Sequence, residues 1–281
     1  MVAGVAHGGM SAREIASAMA QLGATVLADQ MLADPVLMRR HGFTVRRRGR
    51  MLCYSSTRLA AGVFNHVSGY GTFAPASQRA LDAVLRHYER IGGAAAFEVT
   101  RPAVSRADRG LLERNGFRDK GVIFQCHIRS TSRAPRLHDV RGLSIARVDP
   151  PGATRYGKLA TRGFGDRKPM SEVFERGWAR QIRRDRRVAA FIGSVDGGPA
   201  ATGVIITRPA IAGLYSGSVL PAHRGRGIQN AMIAARLAHG WRRGVRTFFS
   251  WTAADSASAH NLRDEGFRPR FEVRWYARDP T

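Results

Sequence analysis

Residues 218–229 read Ser218-Val219-Leu220-Pro221-Ala222-His223-Arg224-Gly225-Arg226-Gly227-Ile228-Gln229. The stretch leaves an apolar strand pattern and enters a helical one. Two glycines and two arginines fall where the first N–H groups of a helix have no intrahelical partner. Such a turn offers several backbone donors and a positive helix end to one anion. Gly225 and Gly227 let the backbone approach a phosphate with no Cβ between, and Arg224 and Arg226 add charge. The chemistry this favours is a pyrophosphate cradle. An ordinary glycine-containing strand–helix turn has similar letters, so the surroundings must decide. A dinucleotide fold requires Gly-x-Gly-x-x-Gly and a parallel sheet; a phosphate loop ends in Gly-Lys-Ser/Thr. Neither pattern is met.

The elements around the turn are legible from periodicity. The second half predicts strand 142–148, helices 152–163 and 171–183, then strands 188–195, 200–207 and 212–220. Helix 228–243, strand 246–252, helix 256–265 and strand 270–277 complete it. Ile228, Met232, Ile233, Leu237 and Trp241 form one stripe of the long helix. The first half predicts helix 11–32, strands near 50–55 and 60–69, helix 76–91, strand 94–100, helix 105–115 and strand 121–129. Consecutive strands followed by strand–helix–strand crossovers give an α+β fold with a mixed, mostly antiparallel sheet flanked by helices.

The two halves share a repeat. Phe97-Glu98-Val99 leads through a helix to Asn115-Gly116-Phe117-Arg118, and Phe248-Phe249-Ser250 leads through a helix to Glu265-Gly266-Phe267-Arg268. Each glycine suits a left-handed helix end, and each phenylalanine packs back on the helix it left. The polar run 129–139, with Pro135, reads as a linker. Duplication predicts domains at 1–130 and 140–281.

Residues 142–277 resemble the GNAT acyltransferase superfamily over the full length of one such domain. The family's phosphate signature, Arg/Gln-x-x-Gly-x-Gly/Ala, is matched by Arg224-Gly225-Arg226-Gly227-Ile228-Gln229, departing only at Gln229. The resemblance implies acetyl-coenzyme A as co-substrate, lying between two splayed parallel strands, 212–220 and 246–252. It implies backbone N–H groups at Ser218 and Val219 for the acyl carbonyl, with Ser218 among the catalytic candidates. It places Asp255, Ser256, Ser258 and Asn261 along the pantetheine arm. The family's distal tyrosine is replaced by Leu262. Proton transfer then falls to Tyr215, His223, His260, Glu272 or Tyr276, with Tyr215 and Tyr276 favoured. No metal is required. The first half resembles a degenerate copy without the phosphate turn; its Gly69-Tyr70-Gly71 reads as a tight turn, and the half as a wall of the acceptor site or a support for the catalytic half.

The implied activity is acetyl transfer to a primary amine of a small metabolite by direct attack in a ternary complex. The alternatives are a macromolecular acceptor (a protein amine or aminoacyl-tRNA) and a non-catalytic coenzyme-binding protein. Charge bears on that choice. The chain has 281 residues, 45 Lys+Arg against 21 Asp+Glu and a net charge of +24. Nearly all the basic residues are arginine, and the excess is shared by both halves. A polyanion partner and an Ala-, Gly- and Arg-rich coding bias are both open. The dense runs Arg46–Arg50 and Arg183–Arg187 lack interleaved aromatics, so nucleic acid is the lesser option. Two cysteines, Cys53 and Cys126, cannot form a disulfide scaffold and read as reduced, partly buried thiols. No apolar run is long enough to span a bilayer, and no secretory leader is evident, so the expected compartment is the cytoplasm.

Overall fold

The structure, a computed structural model, describes residues 10–165, 168 and 170–279. The first half runs α1 (Ala12–Met31), α2 (Pro35–His41), β1 (Phe43–Arg48), β2 (Met51–Ser56), β3 (His66–Ser68), α3 (Gln78–Arg90), β4 (Ala96–Arg101), α4 (Arg106–Arg114) and β5 (Arg118–Ser130). The second runs β6 (Leu143–Arg147), α5 (Ala153–Gly163), α6 (Met170–Arg184), β7 (Val188–Val195), β8 (Gly198–Thr207), β9 (Ile211–Val219), α7 (Ile228–Arg242), β10 (Thr247–Thr252), α8 (Ala257–Asp264) and β11 (Arg268–Ala277). The α+β reading holds, and each half carries its own mixed portion of sheet with helices on its faces.

The eleven strands of the described residues join one sheet in the order β1-β2-β3-β4-β11-β5-β10-β9-β8-β7-β6. Two neighbouring pairs run parallel, β3 with β4 and β9 with β10, one in each half. The last strand of each half crosses over: β5 lies between β10 and β11, and β11 lies between β5 and β4. The halves are thus joined by backbone ladders.

The repeat is real down to its capping. Ser105 and Ser256 each cap a helix by accepting from the N–H three residues on. Gly116 and Gly266 take φ of +83° and +78°, and the Phe117 and Phe267 N–H groups bond back to the Leu112 and Leu262 carbonyls at 3.1 and 3.0 Å. Both phenylalanine side chains are fully buried. This is the reverse-turn closure that only a glycine at the left-handed position makes without strain.

The strand expected near 60–69 shrinks to His66–Ser68, behind a single 3-10 turn at Gly62–Phe64. The cause is Asn65, whose side chain accepts from the Ser56 N–H and donates to the Leu59 and Ala61 carbonyls. Those bonds fold the segment into a loop. Reading missed α2 and β1. The arginine run hides β1, an outer strand of the sheet, where Arg46 and Arg47 sit on an edge that charge protects from further pairing. The cysteines are fully rather than partly buried, and burial pushes the Cys53 thiol up to about 12. Among the described residues, no helix is long and apolar enough to cross a membrane.

α7 carries a buried titratable group, His239, packed edge-on against Phe191. Burial, then Arg243, Arg147 and Arg242, push its pKa down from 6.5 to about 4. The folded chain keeps it neutral where the unfolded chain takes up a proton. Stability is therefore full above pH 6.5 and falls as pH drops through about 4. Urea unfolding midpoints should show this decline, and His239→Gln should flatten it. An unchanged slope in the variant would remove His239 as its cause.

Candidate active site

β9 and β10 pair in parallel only from Ile211–Gly213 against Thr247–Phe249, then part. Where the ladder stops, the Ser250 hydroxyl donates to the Leu214 carbonyl at 3.0 Å. β9 is bent at the same level. Its register with β8 jumps between Thr202↔Ser218 and Val204↔Tyr215, and Ser216 takes a left-handed φ of +48°. An extra residue in one strand bends that strand and leaves the ladder locally open. The bulge carbonyl, Ser216 O, accepts from the Thr202 and Tyr156 hydroxyls at 3.3 and 3.4 Å. A cavity of about 350 Å³ fills the gap, between Leu214–Gly217 on one side and Ser250–Ala253 on the other.

The cavity continues, through shared residues Gly217, Gln229 and Ser258, into one of about 680 Å³ at the turn before α7. Gly225 and Gly227 there have φ of +74° and +73°. A Cβ on Gly225 would meet nothing within 4 Å, and one on Gly227 only a Val140 methyl at 3.8 Å, so both backbones face open space. Gly227 caps α7 and supplies no side-chain acceptor to its first N–H groups. Those donors and the positive helix end point outward, as an anion site requires.

The large cavity brings together Ser218, Val219, Arg224, Gly225, Gly227, Ile228, Gln229, Ser258 and Asn261, all read from sequence. Arg226, also read from sequence, is exposed beside them on the same turn. Arg224 folds back, its Nε donating to the Val219 carbonyl at 3.2 Å. The Ser218 hydroxyl is engaged with Thr202 at 2.8 Å. Gln229, the departure from the motif, reaches towards β9; a Cβ on Gly217 would lie 2.9 Å from its Nε2, and its buried Oε1 has no partner.

The proton-transfer candidates separate. Tyr215 lies at the opening, its ring among Trp178, Phe249 and Trp251 and its buried hydroxyl without a partner. Burial raises its pKa well above the ordinary phenol value, so it stays protonated. β11 places Tyr276 in the first half's core, with Phe97, Leu112 and Phe117, and it lines neither of the two cavities. Strand exchange decides that placement, and sequence alone does not reveal it. His223 borders the large cavity, whereas His260 bonds its own helix start and Glu272 pairs with Arg274.

Sequence reading missed Arg236, which is 2% exposed. Its Nε donates to Met232 O at 2.9 Å and its Nη1 to Tyr215 O and Val204 O at 3.4 and 3.5 Å. Burial pushes its pKa down to about 10, which leaves it cationic at neutral pH on the floor of the opening. Gly203 makes room, since a Cβ there would lie 2.7 Å from Nε. The signal was available: 228, 232 and 236 are successive turns of the apolar stripe, and a charge there is out of place.

The matching turn of the first half is filled. Gly69 and Gly71 also have positive φ, but the Phe73 ring and Val104 occupy the space over them.

Residues 155–267 match the Acetyltransferase (GNAT) family. The matched stretch is a GNAT acetyltransferase domain, and it holds β9, the glycine turn, β10 and α8. A search of curated proteins found no match. Among solved structures, a GCN5-related N-acetyltransferase from Kribbella flavida is 13% identical, with 95% of this chain and 96% of that one covered and a TM-score of 0.64. A tandem GNAT protein from the clavulanic acid biosynthesis pathway is 14% identical, over 97% and 98% of the two chains, with a TM-score of 0.62. A GCN5-related N-acetyltransferase from Sphaerobacter thermophilus is 15% identical, over 92% of each chain, with a TM-score of 0.58. At these identities the likeness is one of fold, and it extends over both halves.

GNAT enzymes use acetyl-coenzyme A, and this site fits it. The open glycine turn, the uncapped helix start and a cavity that runs from that turn into the strand gap suit a pyrophosphate with a long thin arm.

The buried Arg236 makes a stability prediction. Arg236→Met replaces an unpaired buried charge with similar volume and should change unfolding free energy by no more than about 2 kcal/mol. Gly203→Leu, forced against the guanidinium, should cost about 2–4 kcal/mol. Equal costs in urea titrations would contradict this packing.

Proposed function

We propose that the chain transfers an acetyl group from acetyl-coenzyme A to a primary amine of a small metabolite, by direct attack in a ternary complex. The gap between β9 and β10, opening onto the glycine turn of α7, carries this reading. Family membership supports acetyl transfer; the amine acceptor is our inference.

In this reading, the N–H groups of residues 225–229 hold the pyrophosphate, with Arg224 swinging from Val219 O to join them. Ser258 and Asn261 border the pantetheine arm, and Gln229 replaces a small residue there with an unpaired acceptor. When bound, acetyl-coenzyme A supplies the thioester carbonyl at which the amine forms a C–N bond as the C–S bond breaks. The backbone N–H groups of Ser218 and Val219 hold the carbonyl oxygen as it gains charge. Ser218 acts through its backbone, because its hydroxyl is held by Thr202. Arg236 adds a fixed positive charge beneath the opening. Tyr215 keeps a proton on its hydroxyl that the departing sulfur takes up, and the proton the amine nitrogen loses as the amide forms returns to the tyrosine oxygen, leaving amide, thiol and a neutral phenol. We assign this work to a catalytic domain at 140–281, with a degenerate domain at 1–130 whose α1 walls the acceptor side.

Calorimetry with acetyl-coenzyme A tests the cradle. Wild type should bind, and Gly227→Glu, which adds a side chain and a negative charge, should weaken binding about 100-fold or more. No wild-type binding, or equal binding by the variant, would overturn the assignment. Tyr215→Phe should bind acetyl-coenzyme A normally and release thiol about 10–100-fold more slowly. Binding without turnover on any amine would favour a coenzyme-binding protein over an enzyme.

A further inference from the structure

On the opposite side of β9 from α7 lies a second cavity of about 420 Å³. Its walls come from both halves of the chain. Val26 and Gln30 of α1 form one side; Ala160, Phe174 and Trp178, from α5 and α6, form the other. Tyr215, Ser216 and Phe164 border both this cavity and the strand gap, so the two meet at the bulge. A nucleophile seated here would face the bulge from one side while a thioester in the gap faced it from the other.

Two glycines hold α1 in place. Gly23 packs directly under the Trp251 ring, and a Cβ on Gly177 of α6 would lie 2.6 Å from Gln30 Cγ. Gln30 is therefore fixed beside α6. It is 5% exposed, and its buried Nε2 has no partner among the described residues. Ser171, 7% exposed, and Tyr215 each have a buried hydroxyl with no partner among the described residues. Buried polar atoms are nearly always satisfied, by protein, water or ligand. Here three unpaired neutral groups, on an amide and two hydroxyls, belong to one largely apolar cavity.

We propose that the acceptor is a compact amine with a ring-sized apolar body and an uncharged hydrogen-bonding group, bound in this cavity with Gln30 and Ser171 as its polar contacts. The proposal rests on the acetyl-transfer reading and names its substrate class. Among the described residues, no Asp, Glu, Lys, Arg or His side chain lines the cavity. Against these described residues, a polycation or a carboxylate would lose its hydration without gaining an opposite charge. In a chain of net charge +24, a neutral wall is a local departure from the composition. Low polarity also favours the neutral amine, the form with a free lone pair. The volume suits a small ligand and excludes the body of an RNA or a folded protein.

The test uses the full chain with 2-phenylethylamine, tyramine, spermidine and glutamate as acceptors, following thiol release from acetyl-coenzyme A. A parallel arm measures binding of 2-phenylethanol by saturation-transfer NMR without acetyl-coenzyme A. The two aromatic amines should exceed spermidine and glutamate in kcat/KM by about 100-fold or more. The alcohol should bind, and should compete with 2-phenylethylamine in the assay. Ser171→Leu, which fills the cavity, should weaken alcohol binding about tenfold or more. Gln30→Leu should reduce the preference for tyramine over 2-phenylethylamine about 5- to 10-fold. Preferred turnover of spermidine or glutamate would overturn the proposal and leave acetyl transfer standing. If no amine is acetylated, the acetyl-transfer reading falls, and failure of the alcohol to bind would overturn the cavity assignment as well. The competition measurement needs no variant, so a misfolded substitution does not rescue the proposal.

Discussion

Beyond Gly213 and Phe249 the ladder between β9 and β10 stops, and backbone groups that a continuous sheet would pair must find other partners. Side chains supply several. Ser250 takes the Leu214 carbonyl, and Thr202 and Tyr156 take the carbonyl of the bulge. Arg236 takes the carbonyls of Val204 and Tyr215 from below. The opening is thus a built feature of the fold, kept by polar side chains that would have no purpose in a closed sheet. The cavities on both sides, the aim of α7 and the exposure of the bulge follow from it.

The strand exchange explains why such an opening is tolerated. Separating two central strands weakens a sheet, but β5 lies along β10 and β11 lies along β5 and β4. The second half's parted strand is therefore backed by a strand of the first half. α1 closes the same region from one face, held by Gly23 against Trp251 and Gly177 against Gln30. The first half has a parallel pair of its own, but its glycine turn is filled by side chains. Its contribution is to brace and wall the site of its partner half.

The second half was almost wholly legible because its elements are long and strongly periodic, and because glycine and phenylalanine mark the ends of the duplicated helices. The turn at 224–229 was legible for a similar reason: only glycine holds positive φ there while leaving the space above it empty. The first half was less so. The short β3 depends on bonds made by Asn65, and β1 is masked by arginines that protect an edge. The core that Tyr276 enters depends on which strand lies beside β11, a non-local fact. Arg236 could have been found as the charge on an apolar stripe.

Coenzyme binding in this fold depends on backbone donors at one glycine turn and on the filled state of its counterpart. An amide NMR titration with acetyl-coenzyme A reads both at once. The resonances of Gly225, Gly227, Ile228 and Gln229 should shift together and saturate with the calorimetric affinity, while those of Gly69, Tyr70 and Gly71 stay in place. Shifts centred on the first-half turn, or none at residues 225–229 under saturating ligand, would contradict the account.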